Sequence, residues 1–127
     1  MKQRKKFLLK STAFDKKGAV LAVAYNDYFK SSPIQKALSI RAGLSEHRTA
    51  VHSEVLCLVR ASRNHPSKRV HTLLIERYDS EGKPRLAAPC ASCQLAIKDS
   101  KVQIVMYTSE NGIQTLNPER QHENTHN

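Results

Sequence analysis

The sequence has few aromatic residues, few acidic residues and no long apolar run. Phe, Tyr and Trp make up 6% of its 127 residues, and no repeated basic–aromatic pattern indicates a platform for stacking single-stranded bases. No apolar run approaches the ~20 residues that a membrane span needs. The apolar stretch near the N-terminus is too short for a signal peptide. We therefore expect a cytoplasmic protein that does not enter a membrane.

Cysteine is scarce as well, and its spacing argues against a disulfide scaffold. Cys57 stands alone, whereas Cys90 and Cys93 form a CxxC pair. An odd count with one close pair is typical of a metal site or a redox site. We expect Cys57 to be a small buried side chain of a core helix, because it lies more than a helical turn from His52 and is poorly placed as a further ligand.

Positive charge greatly exceeds negative charge. Lys and Arg number 21 against 11 Asp and Glu, which gives a net charge of +10. The first 17 positions contain an unusual share of these basic residues: Lys2, Arg4, Lys5, Lys6, Lys10, Lys16 and Lys17. A positive field attracts nucleotides and nucleic acids, although a solubilising surface has the same composition.

Hydrophobic periodicity predicts one α/β domain over residues 1–116, with a basic N-terminal segment at 1–6 and a polar tail at 117–127. We predict a loop at 26–32 and a helix that begins near Pro33 with Ser32 as its N-cap and ends at Gly43. Further helices are predicted at 50–64 and 90–99, and strands at 7–14, 19–25, 70–78, 102–108 and 113–116. This order favours a five-stranded mixed sheet with helices on both faces, a three-layer α-β-α fold.

His52, Cys90 and Cys93 have the chemistry of a zinc site. One imidazole and two thiolates suit zinc, and three protein ligands leave the open tetrahedral position that marks a catalytic site. Both motifs stand at predicted helix N-termini, where the helix dipole stabilises thiolates. A CxxC pair alone also fits redox chemistry, and an HxE spacing alone has little meaning. Their occurrence together favours a metal site.

Glu54 suggests that this metal site is catalytic. It lies two residues from His52, so it can reach a zinc-bound water without binding the metal. Zinc lowers the pKa of such a water towards ~7. A carboxylate beside it can take the proton and pass it to a leaving group, which suits the hydrolytic removal of an amine from a ring carbon.

The segments HSE at 52–54 and PCASC at 89–93 match the H-x-E…P-C-x-x-C signature of zinc-dependent nucleobase deaminases. Over about residues 6–116 the chain resembles the cytidine deaminase superfamily, especially deoxycytidylate deaminase-like proteins of bacteria and phages. The resemblance implies that His52, Cys90 and Cys93 bind Zn2+ and that Glu54 shuttles the proton. It also implies a homo-oligomer, either a dimer or a tetramer.

The resemblance implies two substrate contacts. Ser53 stands where the family usually has Ala, and its backbone N–H would contact the base. Asn26 occupies the place of a family Asn that contacts the base or sugar, although Asn is equally common as a turn residue. A His at position 52 is typical of deoxycytidylate, guanine, tRNA-adenosine and polynucleotide deaminases. The predicted strand–turn–strand ending, in contrast, resembles the free cytidine type.

We predict the zinc-dependent hydrolytic deamination of a cytosine-type base in a free nucleotide or nucleoside, giving the uracil product and ammonia. The positive charge favours a nucleotide over an uncharged nucleoside. One alternative is the same reaction on RNA or single-stranded DNA held by the basic N-terminus. Another is a non-catalytic, zinc-stabilised module that binds nucleic acid. The motifs do not distinguish cytosine from adenine or guanine, because pocket shape decides between them.

Overall fold

The computed structural model describes residues 9–31, 33–43 and 50–118. The basic segment at 1–6, the predicted N-cap Ser32, the loop at 44–49 and positions 119–127 of the predicted tail lie outside the described residues. In chain order the elements are β1 (Leu9–Phe14), β2 (Val20–Tyr25), β3 (Asp27–Ser31), α1 (Pro33–Arg41), β4 (Ala50–Val51), α2 (Ser53–Asn64), β5 (Thr72–Arg77), α3 (Ala91–Asp99), β6 (Ile104–Ser109) and β7 (Gly112–Leu116).

Five of these strands form one mixed sheet in the order β2-β1-β5-β6-β7. The β5–β6 pair is parallel and encloses α3 in its crossover, while the other three pairs are antiparallel. The antiparallel β6–β7 pair is the strand–turn–strand ending that the sequence predicts. The predicted α/β class with a five-stranded mixed sheet is thus confirmed, and the arrangement is consistent with a three-layer α-β-α fold.

The turn between β1 and β2 is closed by the carboxylate of Asp15. Its Oδ1 accepts hydrogen bonds of 2.9 Å from the backbone N–H groups of Lys17 and Ala19. Gly18 has φ +89°, a left-handed conformation that glycine adopts without strain. These bonds lower the pKa of Asp15, the bond from Ala19 most of all, and Lys68 adds an attraction at 3.7 Å.

The core lies between the sheet and the helices. On β5, Leu73 and Ile75 are both 0% exposed, as expected for alternate positions that share one face of a strand. The strand register places Ser11 of β1 beside Ile75, so this serine belongs to the same buried row. Helix α2 packs on β1 and β2, α3 packs on α2, and α1 packs on α3. The Arg41–Asp99 ion pair at 2.8 Å also links α1 to α3.

Two sequence predictions around the start of α2 and before α1 are wrong. The segment 26–32, predicted to be a loop, contains β3, and the helix predicted from Ala50 begins at Ser53. Ala50–Val51 instead pairs antiparallel with β3 in a separate two-stranded sheet. Aromatic residues such as Tyr28 and Phe29 favour extended backbone, but a two-stranded pairing depends on a distant partner that local periodicity does not reveal. No helix among the described residues is long and apolar enough to cross a bilayer.

Candidate metal centre

Two helix N-termini position the predicted ligands. His52 is the N-cap residue of α2 and Cys90 is the N-cap residue of α3. Both have extended backbone angles, and neither side chain makes a capping hydrogen bond to its own helix. Cys93 lies in the first turn of α3 and is completely buried. The positive ends of two helix dipoles therefore lie close together, and they stabilise thiolates and other anionic groups at this place.

The three ligand atoms of His52, Cys90 and Cys93 lie within 4.8 Å of one another. The Nδ1 atom of His52 is 3.2 Å from Sγ of Cys93 and 3.5 Å from Sγ of Cys90. In a tetrahedral site with Zn–S and Zn–N bonds of normal length, an imidazole nitrogen and a thiolate sulfur are about 3.5 Å apart. The three residues are therefore close enough to bind a metal ion, and their spacing fits zinc.

The two thiols of the pair have very different acidities. A hydrogen bond from Cys93 lowers the pKa of Cys90 to about 3, and further hydrogen bonds from His52 and Ser92 act in the same direction. The pKa of Cys93 is raised, because its proton is held in the bond to Cys90 and because the thiol is buried. Cys90 is thus the more acidic of the two thiols, and the thiolate is the form that binds metals.

Glu54 lies beside this cluster in the first turn of α2. It is 4% exposed, and its carboxyl group interacts electrostatically with His52, Cys90 and Cys93. Burial raises the pKa of Glu54 above its usual range. Within the described residues, one cluster of His, Cys, Asp or Glu side chains is close enough together to hold a metal ion, and it consists of the three predicted ligands. The arrangement therefore combines a three-ligand site with a separate acid.

Buried hydroxyl groups complete the surroundings, and sequence reasoning missed two of them. Ser53 Oγ lies 2.8 Å from Ser11 Oγ and donates a hydrogen bond of 3.3 Å to Glu54 Oε1. Ser92 Oγ lies 3.2 Å from Cys90 Sγ. Ser92 could have been noticed because it stands inside the CxxC motif. Ser11 offers no such signal, since only the strand register brings it to the site.

Asn26 follows β2 and is held by the start of β1. Its side-chain Oδ1 accepts a hydrogen bond of 2.9 Å from the backbone N–H of Leu9. The backbone N–H of Asn26 donates to the Leu9 carbonyl at 3.1 Å. The Nδ2 group is buried and has no hydrogen-bond partner within the part of the chain that the structure describes. Asn26 continues the alternation of Ala24, which pairs with Ser11, so it extends from the sheet on the side of the cluster.

Cys57 is a core residue, as predicted. Its side chain is 0% exposed and is not among the residues close enough to share the metal. Burial raises the pKa of its thiol to about 12. It therefore stays protonated and packs as a small apolar group.

No protein-family model matches the sequence, and a search of curated proteins finds no significant relative. The two motifs, and the cluster that they form, are therefore the features of this chain that indicate a function.

Proposed function

We propose that this protein is a zinc-dependent hydrolase of the cytidine deaminase superfamily that deaminates a cytosine-type base in a free nucleotide or nucleoside. The observation that carries the proposal is the juxtaposition of three soft donors with one buried acid that is not a ligand. His52, Cys90 and Cys93 supply the donors, and Glu54 supplies the acid. Structural zinc sites have four protein ligands, whereas a site with three leaves room for chemistry.

Zinc would be held by His52 Nδ1 and the two thiolates. Bound there, it would act as a Lewis acid that makes a nucleophile from water at neutral pH. The N-terminus of α3 stabilises the thiolate form of Cys90, and a thiolate is the form of cysteine that binds a metal cation. Ser92 donates to Cys90 and so helps to orient that ligand.

Glu54 would move the proton. It takes a proton from the attacking water and delivers it to the ring nitrogen of the base. It then moves the second proton, from the new hydroxyl group on the ring carbon, to the amino group. The C–N bond breaks and ammonia departs, so that a cytosine-type base and one water give a uracil-type base and NH3. A buried carboxyl group is suited to this task, because burial raises its pKa above the usual range and so favours the form that carries a proton.

Two groups are available to contact the substrate. The unpartnered Nδ2 group of Asn26 is a buried donor that lacks an acceptor within the described residues, and a base or sugar oxygen would provide one. The backbone N–H of Ser53 belongs to the first turn of α2, where N–H groups have no acceptor inside the helix. These two donors support the substrate contacts that the family resemblance implies.

Two further features bear on the choice of substrate class. The antiparallel pairing of β6 with β7 at the C-terminal end of the domain resembles the corresponding part of free cytidine deaminases. The net charge of +10 favours an anionic substrate, and therefore a nucleotide over a nucleoside. The charge, together with a His at position 52, favours a deoxycytidylate-like substrate, whereas the β6–β7 ending taken alone favours free cytidine.

The direct test is ammonia release from the zinc-loaded protein with a panel of nucleosides, nucleotides and oligonucleotides. We expect turnover of a cytosine nucleotide and a much slower reaction with adenine and guanine nucleotides. His52→Ala is the matched control, because it should remove both the zinc and the activity. A zinc-containing protein that releases no ammonia from any member of the panel would refute the proposal.

The net charge of +10 also supports a second candidate, deamination of RNA or single-stranded DNA. On this alternative, labelled oligonucleotides would be better substrates than the free nucleotide. Their binding would also weaken steeply with salt, since each neutralised phosphate releases a counterion. Equal or faster turnover of the mononucleotide at all salt concentrations excludes this alternative.

We also propose that the protein forms a dimer or tetramer. Edge strand β2 exposes apolar side chains that are often covered in assemblies: Val20, Val23 and Tyr25. Light scattering coupled to size-exclusion chromatography measures the mass directly. A single species of 14.3 kDa at assay concentration contradicts the expectation.

A further inference from the structure

The buried face of the sheet contains a hydroxyl group where packing alone calls for an apolar side chain. Ser11 of β1 is 0% exposed and lies in register between Ala24 and Ile75. Ser53 of α2 is also 0% exposed, and the two Oγ atoms are 2.8 Å apart. A buried hydroxyl needs a partner, and each serine supplies one for the other.

The deprotonated form of Glu54, which is the form that acts as a base, fixes the direction of these hydrogen bonds. A carboxylate only accepts, so Ser53 donates its single hydrogen to Glu54 Oε1, which lies 3.3 Å away. Ser53 then has no hydrogen left for Ser11. Ser11 is therefore the donor in the bond between the two hydroxyls. The result is a directed chain from Ser11 through Ser53 to one oxygen of Glu54.

We propose that Ser53 and Ser11 are positioning residues that hold Oε1 of Glu54 and leave Oε2 as the oxygen that takes up and releases the proton. The inference rests on the proposed deaminase function. Oε1 accepts the Ser53 hydrogen bond whether or not Oε2 carries a proton, so the chain remains intact through the cycle. Ser53 thereby replaces the Ala that is usual in the family with a group acting on the acid.

If the two serines served only to stabilise the fold, removing both hydroxyl groups would lower the melting temperature. The positioning role does not require this. Replacing both members of a buried hydroxyl pair by apolar groups of similar shape is nearly neutral or stabilising. The Ser11→Ala/Ser53→Ala double variant should therefore melt at or above the wild-type temperature and keep its zinc. Any loss of turnover in this variant is then an effect on Glu54 and not on folding.

The test is a double-mutant cycle on kcat and KM with the best nucleotide substrate. Ser53→Ala should lower kcat about tenfold, the lower end for a lost hydrogen bond to a charged group, with KM unchanged. Ser11→Ala should have a smaller effect. The double variant should match Ser53→Ala, because Ser11 reaches Glu54 only through Ser53. Thr12→Val removes a neighbouring hydroxyl from the opposite face of β1 and should leave kcat unchanged.

Ligand binding provides a readout besides turnover. In Ser53→Ala, affinity for the uracil-type product should be unchanged. Affinity for an analogue with a hydroxyl on the attacked carbon should fall about tenfold, because that analogue resembles the transition state. If the wild type deaminates and all serine variants retain kcat within a factor of about two, the positioning role is wrong and the proposed function stands. A wild type that releases no ammonia refutes both.

Discussion

Replacing Glu54 by glutamine tests the proposed mechanism most directly. The amide has nearly the volume of the carboxyl group and can still accept the 3.3 Å hydrogen bond from Ser53. It cannot take up a proton from water at neutral pH. The side chain is only 4% exposed, so bulk water has little access to replace it as the base.

The expected loss of activity follows from the two proton transfers assigned to this group. A positioned acid or base typically contributes between about 10²- and 10⁴-fold in rate. We expect Glu54→Gln to lower kcat about 10³-fold, which corresponds to a rise of about 4 kcal/mol in the activation barrier. The zinc content should not change, because Glu54 is not among the three candidate ligands.

Stability should separate this variant from a folding defect. Burial raises the pKa of Glu54, so its contribution to stability is greatest below the unfolded-state pKa and falls as pH rises through the folded-state pKa. Glutamine does not ionise. The metal-free variant should therefore be at least as stable as the wild type at pH 7.

The assay measures ammonia release, zinc per chain and the thermal midpoint on the same preparations. Glu81→Gln, an exposed carboxyl group in the turn after β5, is the matched control and should retain wild-type kcat. A Glu54→Gln variant that keeps more than a tenth of the wild-type kcat would refute the role of Glu54. Full retention of every measurable function would instead favour the non-catalytic, zinc-stabilised module.

Three further predictions concern the metal, the substrate and the turn. Cys93→Ala should reduce bound zinc below about a tenth of the wild-type content. Cys57→Ala, the matched control, should keep its zinc and lose roughly 1 kcal/mol of stability. Equal zinc contents in the Cys93→Ala and Cys57→Ala variants, measured by metal analysis, would contradict the ligand assignment. Asn26→Asp keeps the acceptor for the Leu9 N–H but removes the donor, so we expect KM to rise about tenfold; an unchanged KM in steady-state kinetics would exclude the substrate contact. The pKa of Asp15 is lowered in the folded state, so this carboxylate stabilises the protein at pH values above its unfolded-state pKa of about 3.9. That stabilisation is lost as the pH falls through the folded-state pKa. Asp15→Asn should therefore destabilise the protein at pH 7 and cease to do so in strong acid, and urea unfolding that gives the same difference at both pH values would contradict this.

The sequence predicts most of the fold because the main strands and helices have strong local signals. Strand β5 is bounded by turn residues and has alternating buried positions, and α3 follows Pro89 and a cysteine N-cap. The small β3–β4 sheet was missed, because two short segments become strands only through their pairing with each other. The same pairing moves the start of α2 from Ala50 to Ser53.

The sequence by itself determined the candidate ligands and the candidate acid, since HxE and CxxC spacings restrict which side chains can meet at helix N-termini. Only the tertiary structure decided that His52 Nδ1 lies 3.2 and 3.5 Å from two sulfurs that are about forty positions away in the chain. It also decided that Ser11 reaches Ser53, because a strand register and a helix packed on that strand bring the two hydroxyls together. Local patterns specify which groups are present, whereas packing between distant elements specifies which atoms touch.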